Sequence, residues 1–185
     1  MTALEFPIGG IDDGVVRLRL HADSDLERVA AASLDPEILR WTRVPDDNSA
    51  EAMREWIAGW HSGPREELHL IVVDAGSDEL FGAAGIVRLE RDERRCEVGY
   101  WLAPAARGRG VATRSVRILA GWAFASLPVD RIGITAEPGN RASCAVAERA
   151  GFTYEGVLRS WQRIKGERRD TAMYSLLRDE PSQLS

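Results

Sequence analysis

The sequence predicts a single α/β domain of the mixed, α+β kind, with a largely antiparallel sheet of about seven strands and about four or five helices. Strand and helix signals alternate along 185 residues, with no repeat, low-complexity tract or Pro/Gly/Ser-rich linker to divide them. Three strand-like runs, Leu68 to Val73, Leu80 to Leu89 and Cys96 to Leu102, follow one another through turn signals in the manner of an antiparallel meander. A hydrophobic content of 44% is enough for one full core at this length.

Val15 to Leu20 alternates like a strand, and Asp23 is placed to cap a helix whose Leu26, Val29 and Ala30 form an apolar face. Asp35-Pro36 opens a second helix with proline at its first position. Asn48 and Glu51 make a weak capping box for a third, whose Met53, Trp56, Ile57 and Trp60 fall on one packing stripe. In the strand Cys96 to Leu102, Cys96, Val98, Tyr100 and Leu102 point to one face and Glu97, Gly99 and Trp101 to the other, with Gly99 a bulge signal. The next helix carries Val111, Ser115, Ile118, Leu119 and Trp122 at helical spacing and ends before Pro128. Arg131 to Ala136 is a compact strand, Asn140 caps a helix that stops at Gly151, and Phe152 to Trp161 and Asp170 to Leu177 pair around Lys165-Gly166. Residues 1–12 and 179–185 read as flexible termini of the one domain, 1–185.

A formal net charge of -5 argues against a general nucleic-acid binder, which needs a basic face for phosphates. Cys96 and Cys144 stand in no CxxC pattern, which points to a reducing compartment. His21, His61 and His69 fall in no metal-ligand spacing, so no metal is expected. The first residues lack a basic segment followed by an apolar one, and no apolar run approaches spanning length. The chain therefore reads as cytoplasmic, with no membrane partner.

The stretch ARGRGVATRS, Ala106 to Ser115, concentrates the chemistry. A helix N-terminus offers unpaired N–H groups and partial positive charge, and Gly108 and Gly110 let an anion approach the backbone. Arg107, Arg109 and Arg114 add guanidinium forks suited to phosphate. A pyrophosphate suits this loop; a solvated basic helix start is the alternative. The P-loop lysine is absent, and Thr113 stands where the dinucleotide fingerprint needs its third glycine.

Arg107-Gly108-Arg109-Gly110-Val111-Ala112 resembles the [RQ]xxGx[GA] pyrophosphate loop of the GCN5-related N-acetyltransferases (GNAT). The segments VVRLRLHADSDLERVA, DPEILRWTRVP, CEVGYWLAPAARGRGVATRS, PGNRASCAVAERAGFTYEGVLRS and DTAMYSLL are similar, in order and spacing, to its RimJ/RimL-type ribosomal-protein N-terminal acetyltransferase branch. The resemblance implies a sheet that splays between its fourth and fifth strands and acetyl-CoA as cosubstrate. It implies that Arg107, Gly108, Arg109, Gly110, Val111, Ala112 and Thr113 wrap the CoA pyrophosphate, that Tyr100 and Leu102 pair with the pantetheine through their backbone, and that Asn140 contacts it.

Attack of an amine on a thioester needs a base, a donor for the carbonyl oxygen and support for the departing thiolate. Glu97 is the candidate base; the alternative is a surface carboxylate paired with Arg94 or Arg95. Ser143 matches the serine of the branch's NxxS pattern and is the candidate thiolate donor, while its neighbour Cys144 reads as a small buried thiol. Arg159 and Asp170 either orient the acceptor or pair with each other. The implied function is acetyl transfer to a primary amine, either a protein N-terminus or a small molecule, by a monomer or homodimer. An aminoglycoside-type enzyme and a noncatalytic acyl-CoA-binding module are the alternatives.

Overall fold

A computed structural model describes residues 4–47, 49, 51–52, 55–56 and 67–180. Its strands are β1 (Ile11–Asp12), β2 (Val16–Arg19), β3 (Leu68–Asp74), β4 (Leu80–Glu90), β5 (Arg95–Leu102), β6 (Arg131–Ala136), β7 (Thr153–Ile164) and β8 (Glu167–Leu177). The helices are α1 (Leu26–Ser33), α2 (Pro36–Trp41), α3 (Val111–Ser126) and α4 (Arg141–Arg149). One sheet runs β1-β2-β3-β4-β5-β6-β8-β7. Every neighbouring pair is antiparallel except β5 and β6, which are parallel. A parallel pair needs a long crossover, and here α3 supplies it.

The eighth strand is the two-residue β1, too short for an alternation signal. It draws the N-terminal segment, expected to be flexible, into the fold. Phe6 is buried, with its ring 5.0 Å from that of Trp122. The third expected helix falls largely outside the described residues, although residues 51–52 and 55–56 are helical and Trp56 packs against the core.

Two cores lie on opposite faces of the sheet. On one, the α3 stripe of Val111, Val116, Leu119, Ala120 and Ala123 packs with Ala147 of α4 onto Val98, Ile132, Ile134 and Tyr174. On the other, Val29 of α1 and Ile38 of α2 cover Ile71, Val73, Ala83 and Trp101. Burying apolar surface on both sides explains why β3 and β4 read as continuous hydrophobic runs.

Gly99 is not a bulge. It pairs squarely with Gly85, and the register shift lies on the facing strand, between Ile86 and Arg88 of β4. A Cβ at Gly99 would sit 2.9 Å from the side chain of Val87, the bulged residue, so the glycine makes room for its neighbour's irregularity.

The α1 helix begins differently from expectation too. Residues Asp23–Asp25 form a 3-10 turn, and the working carboxylate is that of Asp25, which accepts from the Ala22 N–H at 2.8 Å and from Arg19 at 2.7 and 2.9 Å. Burial alone would raise the Asp25 pKa, but these partners and Arg28 hold it at about 2, below its ordinary 3.8. Stability linked to Asp25 is therefore present above pH 4 and lost as pH falls towards 2, a contribution of about 2 kcal/mol. Asp25→Asn should lower the melting temperature at pH 7, and the gap from wild type should narrow between pH 4 and 2 in thermal melts.

Candidate active site

Strands β5 and β6 pair only through Arg95–Arg131, Cys96–Ile132 and Glu97–Gly133. Beyond Glu97 they part, although β5 stays paired to β4 as far as Leu102 and β6 to β8 as far as Ala136. This is the splay expected between the fourth and fifth strands, which are β5 and β6 once β1 is counted. It leaves the β6-facing edge of residues 98–102 without a strand partner, as an extended acyl arm requires.

The glycine loop lies beyond the end of β5. Gly108 and Gly110 adopt φ of 72° and 77°, the left-handed region that glycine enters without penalty. Added Cβ atoms would meet nothing within 4 Å at either position, so the requirement is conformational and not steric. Gly110 is the residue before α3 and supplies no side-chain cap. The first N–H to bond back is that of Arg114, to the Gly110 carbonyl at 3.1 Å. The N–H groups of Val111, Ala112 and Thr113 precede it and, as at any helix N-terminus, have no intrahelical partner.

The arginines are more committed than sequence suggests. Arg107 donates to the Leu102 carbonyl at 3.0 and 3.2 Å and to Asp35 at 2.5 Å. Arg114 pairs with Asp13 at 2.6 Å, and Arg109 lies 5.0 Å over the Phe81 ring. Asp35 also caps α2 by accepting from the Ile38 N–H at 3.1 Å. At the other end of α2, Trp41 lies over Gly139, where an added Cβ would be 3.6 Å from the ring. Helix α2 thus touches both the loop that follows β5 and the turn that follows β6.

Glu97 lies at the last residue pair before the strands part, on the face that carries α1 and α2. It does not pair with Arg94 or Arg95: Arg94 donates to Asp130 at 2.8 Å and Arg95 pairs with Glu90. Instead Glu97 Oε1 accepts from the Thr135 hydroxyl at 2.5 Å, and Thr135 Oγ1 accepts from Gln162 Nε2 at 2.7 Å. Neither Thr135 nor Gln162 stands out in the sequence, because the contacts span 38 and 27 positions.

Ser143 lies on the opposite face, on α4. Asn140 Oδ1 accepts from the Ser143 N–H at 3.1 Å, so the asparagine is a helix cap. The Ser143 hydroxyl lies 3.0 Å from that of Tyr100. Burial pushes the Tyr100 phenol up to about 12, against a smaller lowering by its bond to Ser143, so it stays protonated at neutral pH. The family resemblance implies a role only for the backbone of Tyr100; its position two residues from Val98, on the core face, is the signal in the sequence for its side chain. Cys144 is half-buried, its thiol 3.9 Å from the Glu137 carbonyl. Arg159 and Asp170 do not pair: Asp170 accepts from the Ser160 N–H at 2.7 Å.

The GNAT acetyltransferase domain model matches residues 16–153. The chain belongs to the GNAT acetyltransferase family. YdaF of Bacillus subtilis (strain 168), named as a candidate ribosomal N-acetyltransferase, is 33% identical over 89% of this chain and 92% of its own. The ribosomal-protein-serine acetyltransferase of Escherichia coli (strain K12) is 29% identical over 55% of this chain and 57% of its own. The microcin C7 self-immunity acetyltransferase MccE, solved in complex with acetyl-CoA and AMP, shares the fold at a TM-score of 0.81 and 22% identity, over 93% of this chain and 98% of its own. The chain is thus an N-acetyltransferase of the GNAT family. None of its helices among the described residues is long and apolar enough to cross a membrane.

The Arg107 contacts give a test of the acetyltransferase's framework. Arg107→Ala should release Asp35 and the Leu102 carbonyl and lower the melting temperature without ligand. Asp35→Ala, which also removes the α2 cap, should destabilise the fold by about 1 kcal/mol more and so melt lower still. Calorimetric melts of both variants check the order.

Proposed function

We propose that the acetyltransferase carries an acetyl group from acetyl-CoA to the N-terminal amine of a protein, with Glu97 as base and Ser143 supporting the departing thiolate. The observation that carries this reading is the gap between β5 and β6, with Glu97 at its closed end on one face of the sheet and Ser143, beside Tyr100, on the other. The likeness to YdaF and to the ribosomal-protein-serine enzyme supports the choice of acceptor.

Acetyl-CoA would lie along the glycine loop and the open edge of β5. The N–H groups from Gly108 to Thr113 would hold the pyrophosphate, with Arg107 and Arg109 as flanking charge. The unpaired edge at Tyr100 and Leu102 would receive the pantetheine, and Asn140 would lie along it. Because Arg107 and Arg114 are already paired with carboxylates, the glycine backbone supplies most of the pyrophosphate binding.

The reaction needs no covalent enzyme intermediate. Glu97 takes a proton from the ammonium, directly or through a water, and the amine nitrogen attacks the thioester carbon. A backbone N–H on the open edge of β5 donates to the carbonyl oxygen as it gains charge. The C–S bond then breaks, the thiolate is met by the Ser143 hydroxyl, and the second proton of the attacking nitrogen passes to the sulfur, so that the products are the amide and the free CoA thiol. A serine is a weak acid, and its hydroxyl shares a 3.0 Å hydrogen bond with that of Tyr100; with the phenol, protonated at neutral pH, as donor, the serine proton is free to point at sulfur.

Ser143→Ala should lower kcat with little change in CoA affinity, because its interaction is strongest in the transition state. Tyr100→Phe should produce the same pattern to a smaller degree. Equal loss of CoA affinity and kcat in both would reassign them to cofactor binding. Glu97→Gln should leave CoA affinity intact and reduce kcat by roughly 100-fold or more. Acetyl-CoA turnover with peptides bearing free N-termini, polyamines and aminoglycosides tests the acceptor. Turnover of small amines alone would replace the protein N-terminus by a small-molecule acceptor.

A further inference from the structure

We propose that Gln162 and Thr135 form a positioning relay that sets the orientation of the Glu97 carboxylate, an inference resting on the reading of Glu97 as base. The direction of the chain follows from what each group can do. A Gln162 Nε2 atom only donates, so Thr135 Oγ1 must accept from it at 2.7 Å. The threonine proton is then directed to Glu97 Oε1, 2.5 Å away. The relay runs one way, from amide through hydroxyl to carboxylate. It holds one carboxylate oxygen, while Oε2 takes no hydrogen bond among the described residues.

The backbone is shaped to make this chain. Glu97–Gly133 is the last pair between β5 and β6, and Thr135 lies two residues further along β6, so its hydroxyl reaches back across the opening strands. Gln162 reaches Thr135 because β7 is interrupted. Between Leu158–Thr171 and Gln162–Arg169, three residues of β7 stand opposite the single Asp170 of β8. Ser160, at the middle of this bulge, has φ of 54°, a conformation that costs a non-glycine residue about 1 kcal/mol or more. The Asp170 carboxylate holds it by accepting the Ser160 N–H. The two extra residues leave Gln162 on the same face as Leu158 but set it opposite Arg169, where a regular strand would have put Ser160, so the bulge moves Gln162 along the hairpin towards Thr135. Asp170, a candidate acceptor contact by sequence, is thereby a support for the bulge. Thr135 and Gln162 are positioning residues; neither need touch the reacting atoms.

A double-mutant cycle separates positioning from simple support of the fold. Thr135→Val keeps shape and loses the hydroxyl; Thr135→Ser keeps the hydroxyl. Thr135→Val should lower kcat about tenfold, the rate equivalent of one ordinary hydrogen bond. Calorimetric CoA affinity should stay unchanged, Thr135→Ser should restore kcat, and Gln162→Leu should fall between the two. In the Glu97→Gln background, Thr135→Val should cost nothing more, because its effect passes through the carboxylate. The same loss in both backgrounds, or wild-type kcat in Thr135→Val, overturns the relay. Wild-type kcat in Glu97→Gln alone removes Glu97 as base and the relay with it. A defect in Glu97→Gln with none in Thr135→Val rejects the relay and keeps the base.

Discussion

The early end of pairing between β5 and β6 is the constraint on which the rest of the structure depends. Each strand keeps a full set of partners on its outer side, β4 for one and β8 for the other, so the sheet opens along a single seam. Three residue pairs hinge two half-sheets, and the shared core beneath α3 and α4 keeps them together. An open seam inside a sheet would ordinarily leave costly unpaired backbone groups. Here those groups line the open edge of β5, where the proposed reaction seats the acyl arm.

Helix α2 and the β7–β8 hairpin reinforce the two sides of the seam. Asp35 joins α2 to the loop after β5 through Arg107, and Trp41 rests on Gly139 after β6. Lys165, in the hairpin turn, donates to the Leu39 carbonyl at 2.6 Å. Arg169 pairs with Glu137 at 2.8 Å, tying β8 to the start of the α4 turn. Individual exposed ion pairs contribute little to stability. Their value here is placement, because each one spans elements that the sheet itself does not connect.

Both left-handed glycines at 108 and 110 were legible, because a helix that begins after a glycine-containing loop has few other uses for them. Asn140 was legible as a cap for the same local reason. The bulge was misplaced: Gly99 marked it from the facing strand, since a missing side chain signals a close neighbour as readily as an unusual backbone. The two candidate roles of Glu97 were indistinguishable in sequence. Arg94 and Arg95 lie nearer along the chain than Thr135, yet their partners are Asp130 and Glu90.

The sequence by itself determined the fold class, the order of the elements other than β1, the left-handed glycines of the loop and the family, because these rest on periodicity, glycine conformation and motif spacing within short windows. Tertiary structure alone decided which polar groups meet. Tyr100 meets Ser143 across 43 positions, and Gln162 meets Thr135 across 27. Such contacts depend on strand register, on where two strands part and on one three-residue bulge. A shift of one residue would turn each side chain to the opposite face, and no local pattern encodes that register.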